Sequence, residues 1–516
     1  MQPDNRPDHS YYENPKSEIP KRKRGRFFFW LLISLFILGI AFVFATAFAY
    51  KFYSTSKKVI EANPPSSFFQ SIQDVTNRET KPLRGESEGR VNVLFLGLAG
   101  ENYPGENLTD SIIIASVNPK TYQTAMLSIP RDLYVRIPET NSYTKINALY
   151  ARGHDRNGKA TDGINDLKET LAEITGLNIH YYFAIDFDGF KKVVDELGGI
   201  KVQVQKDIHD ERYPGPNFSY QTFDISKGLY TFDGATALKF ARTRHDEDGD
   251  FGRAYRQQQI LEAARSKAFS VGTLMNIPAI NNVLNILGDH LRTDVPLDEM
   301  ESFLELTKKI DTHTTTNKVM DAGHADSLMA VSHVYLGGIR AFILIPRTGS
   351  YDEIQDVAKN IFDLDLIERK RKSVEEENAS VTIVNRSGAS NLDGKISSLL
   401  EKMGYNPKIA TVGATSASKN NPIGQTEVFD ISKTKPFSLE DLSKKLNADV
   451  AQNPPGDIST QCQKTDFCLV AGADLTESLN YEENSVEELE EGYDKQQIDE
   501  RTYIELLKKG SVKRYN

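Results

Sequence analysis

The densest chemistry in the chain lies at residues 240–259, FARTRHDEDGDFGRAYRQQQ, which hold Arg242, Arg244, Arg253 and Arg256. Arg242 and Arg244 are two residues apart, so on an extended chain their side chains share a face. Arg253, Arg256 and Gln257 have helical spacing, where positions three and four apart are neighbours. A strand end followed by a helix start would aim several guanidiniums at one point. Planar Arg forks match phosphate oxygens, and a helix N-terminus adds backbone N–H donors. The plainer alternative is a set of surface arginines paired with Asp246, Glu247, Asp248 and Asp250. That acidic run is no calcium loop, because the glycine and glutamate of an EF-hand do not fall at its sixth and twelfth positions.

Three shorter segments add polar groups beside apolar runs. Thr109-Asp110-Ser111 opens one run, Ser128-Ile-Pro-Arg131-Asp132 closes another, and Lys145-Ile-Asn147 follows a short loop. Singly, each has an ordinary explanation, such as a turn aspartate with an arginine partner. Together they offer one carboxylate for a cation and several positive groups for a diphosphate. No HExxH, Walker A loop, GxSxG elbow or GxGxxG is present, which argues against zinc proteases, nucleotide triphosphatases and α/β-hydrolases. The net charge of −10 argues against nucleic acid as a partner of the whole molecule.

The elements that must position these residues read as strands alternating with helices. Short apolar runs at 91–97, 111–117 and 124–129 predict buried strands. Helical spacing at 162–176, 187–197 and 254–269, with an alternating strand at 200–204, predicts an α/β/α sandwich over residues 90–348. Residues 349–378 are charged and helix-prone and read as a linker. A second, small α/β domain follows at 379–475, with strands at 381–384, near 408–412, at 427–431 and at 467–471. Residues 476–516 read as an acidic and then basic tail. The two cysteines, Cys462 and Cys468, match no zinc set and no CxxC motif. They either close a small loop or stay as thiols.

Before all this stands FFFWLLISLFILGIAFVFATAFAY, residues 27–50, without a charged side chain. A helix rising about 1.5 Å per residue crosses a hydrocarbon core of about 30 Å over that length. KRKRGR at 21–26 precedes it, so residues 1–26 read as a cytoplasmic tail and everything after Tyr50, beginning with a 51–89 stalk, as extracytoplasmic. A cleaved signal peptide is the rival, with Ala45-Thr-Ala47 as its cleavage site, but the apolar run is long for one.

The strings LSIPRDLYVRIP (127–138), KINALYARG (145–153), YYFAIDFDGFKKVVDELGGIKV (181–202) and GLYTFDGATALKFARTRHDEDGDFGRAYRQQQ (228–259) resemble the LytR–CpsA–Psr family in order and spacing. The resemblance covers about residues 90–348; residues 379–475 look like an accessory domain found on some members. It implies a transferase on the outer face of a bacterial cytoplasmic membrane, moving a glycopolymer from a polyprenyl diphosphate carrier to peptidoglycan. It further implies magnesium or manganese as cofactor. The matching positions give Arg131, Arg242, Arg244 and Asp250 as catalytic residues, Lys145, Arg253 and Gln257 as substrate-binding, and Asp110 as metal ligand. The pattern breaks where the family has an Asp soon after the first strand and an Arg two residues before the next Asp. Here those positions hold Leu98 or Ala99, and Leu108. Hydrolysis of the carrier would use the same site, and the missing Asp and Arg motivate a further alternative, a non-catalytic role in wall attachment or regulation.

Overall fold

The computed structural model describes residues 50, 53–54, 57–58, 81–101, 103, 105–157, 160–215, 219–244, 249–270, 282–283, 286, 288–310, 315–322, 327–336, 339–410 and 422–479. Thr55–Asn516 form one compact unit and Met1–Ser54 another. The expected membrane helix at 27–50 lies, but for Tyr50, outside the described residues, as do the cytoplasmic tail and all of the C-terminal tail after 479. Among the described residues no helix is long and apolar enough to cross a membrane.

The fold is mixed α/β. Its first half runs β1 (Val91–Leu98), β2 (Thr109–Val117), β3 (Thr124–Ile129), β4 (Tyr134–Arg136), β5 (Tyr143–Lys145), α1 (Leu149–Asn157), α2 (Ala160–Thr175), β6 (Tyr181–Asp186) and α3 (Phe187–Glu196). It continues with β7 (Ile200–Val204), β8 (Ile208–Pro214), β9 (Tyr220–Ile225), β10 (Gly228–Phe232), α4 (Gly234–Arg242), α5 (Gly249–Ala268), β11 (Leu291–Thr293), α6 (Met300–Lys309) and β12 (Thr316–Val319). A six-stranded sheet has the order β11-β6-β1-β2-β3-β12. β1, β2 and β3 form an antiparallel meander, while β6 joins β1 and β12 joins β3 in parallel.

Both faces of this sheet are covered, so its central strands are apolar throughout rather than alternating. Leu94, Leu96, Ile112, Ile114 and Leu127 pack with Leu167, Leu171 and Ile174 of α2. On the other face Ile113, Ala115 and Met126 meet Leu261 of α5, and Val91 and Val93 meet Leu306 of α6. Leu83, expected in the stalk, is buried in that second cluster, and the Arg84 guanidinium lies 4.0 Å from the centre of the Tyr181 ring. Arg242 and Arg244 do not share an extended strand. Arg242 ends α4, which Asp233 caps by accepting the Thr236 N–H, and whose Ala- and Leu-containing sequence suits a helix.

The charged stretch after the sheet is two helices packed on their neighbours. β13 (Met329–Leu336) and β14 (Ile339–Pro346) form a hairpin, followed by α7 (Asp352–Lys359) and α8 (Leu364–Glu377). Arg90 ties α7 down by donating to the carbonyls of Ala358 and Lys359. Burial lowers the Arg90 pKa to about 10. The second domain holds β15 (Ser380–Asn385), α9 (Leu392–Lys402), β16 (Asn406–Ile409), β17 (Glu427–Asp430), α10 (Pro436–Lys445), β18 (Asp449–Ala451) and β19 (Phe467–Ala471). Its five-stranded sheet has the order β16-β15-β19-β17-β18. Cys462 and Cys468 are disulfide-bonded inside a cluster with Val384 and Phe429.

Candidate active site

The carboxyl ends of β1, β3 and β6 and the start of β2 lie at one edge of the six-stranded sheet, since Leu98 pairs with both Thr109 and Asp186, and Ile129 with Ile112. Such an edge is where open α/β sheets bind ligands. Asp110 opens β2 at this edge, Arg131 follows β3, and Arg242 ends α4, with its guanidinium on the ring of Phe187, the residue after β6.

The first half of the site is an alternating chain of charges. Asp110 accepts a hydrogen bond from Nη1 of Arg131 at 2.9 Å. Nε of Arg131 lies 3.5 Å from the Asp132 carboxylate, whose other oxygen accepts from Lys145 Nζ at 2.6 Å. Lys145 and Asp132 are both buried, whereas Asp110 keeps about a quarter of its side chain exposed. An ion pair as buried as Lys145–Asp132 holds only while both partners are present; removing one strands the other. Asn147, also buried, donates its N–H to the Arg131 carbonyl and accepts the Thr109 hydroxyl on its own carbonyl. Its side-chain Oδ1 is buried and meets no hydrogen-bond donor among the described residues.

The second half is the turn between α4 and α5. Asp210, fully buried on the inward face of β8, accepts the Thr243 hydroxyl and, at 3.2 Å, the backbone N–H of Arg244. Its other oxygen accepts the Arg212 N–H at 3.0 Å. From the opposite side Arg256 donates to the carbonyls of Phe240, at 3.2 Å, and Thr243, at 2.6 Å, and Gln257 donates to that of Ala241. The Arg242 guanidinium lies 4.6 Å from the centre of the Phe187 ring, with Tyr103 and Tyr213 beside it. Burial pushes the Tyr213 phenol up, against the opposing pull of Arg242. Arg253 is buried near the start of α5. The Asp250 side chain lies outside the description, as do residues 245–248.

A buried amide joins the halves. Gln258 of α5, without exposed surface, donates to the Ser128 hydroxyl at 2.8 Å and to the Lys318 carbonyl at 3.2 Å. Ser128 stands three residues before Arg131, so this bond docks the arginine-bearing helix on the strand that delivers Arg131. The structure therefore brings Asp110, Arg131 and Lys145 into one contact network. It places Arg242, Arg244, Arg253 and Gln257 on the turn and helix docked against it.

The donors for a metal are sparse. Asp110 has a guanidinium partner, and among the described residues no group of three or more His, Cys, Asp or Glu side chains could hold an ion. Leu98, Ala99 and Leu108 are buried apolar side chains, Ala99 against Phe187 and Leu238. Among the described residues, this edge holds no complete set of protein ligands for an ion.

Sequence reading gave no role to Asp132, Asp210 or Gln258, and it counted Arg256 among the phosphate-facing guanidiniums, whereas the structure buries Arg256 against the Phe240 and Thr243 carbonyls. Asp210 had a signal: it is two residues from Ile208, so both point inward on one strand face. Gln258 had none, because its partners are distant in sequence.

The chain is 32% identical over 258 residues to the polyisoprenyl-teichoic acid–peptidoglycan teichoic acid transferase TagU of Oceanobacillus iheyensis, a match covering 49% of this chain and 73% of that protein. It is 32% identical over 213 residues to the regulatory protein MsrR of Staphylococcus aureus, covering 41% of this chain and 58% of MsrR's length. Among solved structures, B. subtilis TagV aligns at 27% identity with a TM-score of 0.40, covering 53% of this chain and 97% of that one. The sequence profile of the LytR_cpsA_psr family matches residues 46–336, and the protein belongs to that family.

Proposed function

We propose that this protein is a membrane-anchored phosphotransferase that moves a glycopolymer from a polyprenyl diphosphate carrier onto peptidoglycan. The observation that carries the reading is the docking of α5 on β3 through Gln258 and Ser128, which sets Arg131 and the arginines of the α4–α5 turn at one sheet edge. TagU, the relative named as a teichoic acid transferase, supports the same class of reaction. In that reaction a primary hydroxyl of the wall sugar attacks the sugar-linked phosphorus. The bond to the second phosphate breaks, and polyprenyl phosphate leaves with the electron pair. Phosphoryl transfer depends on positioning the chain of phosphates and neutralising charge as it develops. Arg131, Arg242 and Arg244 neutralise it; Lys145, through Asp132, fixes the orientation of Arg131. The carrier's own anhydride drives the transfer, so no nucleotide site is needed.

The apolar stretch at 27–50 would hold the chain in the cytoplasmic membrane with its N-terminus inside and the α/β domains outside. The carrier's tail lies in the same bilayer, and tethering raises the effective concentration of one for the other. Magnesium would arrive on the diphosphate and offset its charge there, with Asp110 the candidate ligand among the described residues.

The test is direct. Full-length protein in lipid nanodiscs is mixed with a polyprenyl-diphosphate glycan and peptidoglycan oligomers, and products are separated by mass. A phosphodiester-linked product is expected. Release of free polymer without linked product would assign the site to hydrolysis. No turnover at any magnesium or manganese concentration would remove the enzyme reading.

A further inference from the structure

We propose, on the basis of the transferase reading above, that the second domain is part of the diphosphate site, and that it sets Arg131 and Lys145 through the β4–β5 hairpin. The hairpin pairs Tyr134 with Lys145 and Arg136 with Tyr143. At its base stand Arg131 and Asp132 on one arm and Lys145 on the other, closed by the Lys145–Asp132 ion pair at 2.6 Å. The strand is extended on its far side by β14: Leu344 donates its N–H to the Asp132 carbonyl at 3.0 Å, and Leu133 and Leu344 form a bridge.

Alternation along these two strands divides their side chains between two cores. Leu133, Val135, Phe342 and Leu344 belong to the core under the six-stranded sheet. Tyr134, Ile343 and Ile345 belong to a different core, whose other members include Ile383, Leu442, Leu446 and Phe467 of the second domain. Tyr143, stacked on Tyr134 with ring centres 5.5 Å apart, packs against the same core. One thin wall is thus shared by two domains, and the end of that wall carries Arg131.

The contact is also clamped by charge. Arg347 donates to Glu353 at 2.8 Å, and Lys445 of α10 reaches the same carboxylate at 3.4 Å and Asp441 at 2.9 Å. Glu353 and Arg347 are nearly buried, so this network is a built joint between α7 and α10 and not a surface encounter. A module tethered by a loose linker would leave Tyr134, Ile343 and Ile345 facing water. Here they are covered, and loosening the cover frees the hairpin.

The experiment uses full-length protein with Tyr134→Ala and Ile343→Ala, with Tyr134→Phe as the conservative rescue and Phe437→Ala, on an exposed second-domain side chain, as control. Three quantities are read: amide hydrogen exchange over residues 131–147, binding of geranylgeranyl diphosphate by calorimetry, and transfer. Both alanine variants at the wall should exchange faster over the hairpin and bind the diphosphate at least tenfold more weakly. Their KM for the donor should rise with kcat less affected, and Tyr134→Phe and Phe437→Ala should match wild type. Unchanged hairpin exchange, or faster exchange with unchanged diphosphate affinity, overturns the positioning role. Wild-type protein that neither binds the diphosphate nor transfers overturns the transferase reading itself.

Discussion

Asp210→Asn isolates the positioning of Arg244 from its charge. Asp210 is fully buried and divides its two oxygens between the Thr243–Arg244 turn and the Arg212 N–H. Asparagine has the same shape but only one carbonyl oxygen. Turned either way, its NH2 group faces a backbone N–H, that of Arg244 or that of Arg212. A hydrogen bond to a charged acceptor contributes roughly 1.5–3 kcal/mol, and a stranded buried donor costs roughly 1–3 kcal/mol more. The turn relieves this by moving, which carries the Arg244 guanidinium away from its aim. If about 3 kcal/mol of that cost falls on the positioning of Arg244, kcat/KM drops about a hundredfold.

The assay is steady-state transfer with the diphosphate-linked donor varied, beside a thermal melt of the same preparations. Thr243→Val removes one hydroxyl donor and leaves the Arg244 bond, so its effect should be about tenfold or less. Arg212→Ala keeps the backbone donor and should leave both readouts near wild type. A folded Asp210→Asn protein with kcat/KM within threefold of wild type would refute the reasoning, because Arg244 would then hold its place without the carboxylate.

Three further outcomes follow from the same geometry. Asn147→Leu removes a buried carbonyl oxygen that meets no donor among the described residues; if that oxygen faces the bound donor, the melt should hold or rise by about 1 kcal/mol of stability while transfer falls, and a destabilised variant would mean that the amide is structural. Arg131→Lys keeps the charge but loses the fork that reaches Asp110 while lying beside Asp132; donor affinity should fall about tenfold or more, and near-normal affinity in a titration would sink the bidentate role. Burial alone would raise the Glu353 pKa, but Lys445 and Arg347 hold it below its ordinary 4.5. Burial likewise opposes the Lys445 charge, yet Glu353 and Asp441 raise its pKa. The depressed carboxylate stabilises the joint above its unfolded value and loses that effect as pH falls through the folded value; the raised ammonium loses its effect only as pH rises past 10.5. Amide protection at the α7–α10 contact, with the intrinsic exchange rate divided out, should therefore be flat from about pH 5 to 9 and fall in acid, and a transition near neutrality would contradict the pairing.

How much of this was readable from the sequence depends on the range of the contact involved. The strands at 124–129, 200–204 and 467–471 were legible because short apolar or alternating runs are local signals. So was the arginine cluster, though not its backbone: helix propensity in GATALKFAR carries Arg242 to a helix end where an extended pair had been expected. Asp210 and Gln258 were not legible, since their partners lie 33 and 130 residues away. The shared wall was illegible for a related reason. Apolar residues at Tyr134, Ile343 and Ile345 show that both faces of a strand are covered, but sequence does not say that the two covers belong to different domains.

The breaks from the family pattern gain a physical reading in this light. At Leu98, Ala99 and Leu108 the chain has buried apolar side chains where a carboxylate and an arginine were expected. Ala99 packs with Phe187 and Leu238, and Phe187 is the ring on which the Arg242 guanidinium rests. A carboxylate at Ala99 would sit in that apolar cluster and draw Arg242 off its ring. With alanine there, Arg242 rests on the Phe187 ring with Tyr213 beside it, and among the described residues no carboxylate pairs with it. On the other side of the site, Asp132 is committed to Lys145, and Asp110 to Arg131. One carboxylate and one arginine are thus missing together, which leaves the local charge balance unchanged. Under the proposed function a diphosphate would compete with Asp110 for Arg131, while among the described residues it would displace no carboxylate from Arg242. On this argument the apolar cluster does for Arg242 what an ion pair would do, and it does so without weakening the arginine's claim on the ligand.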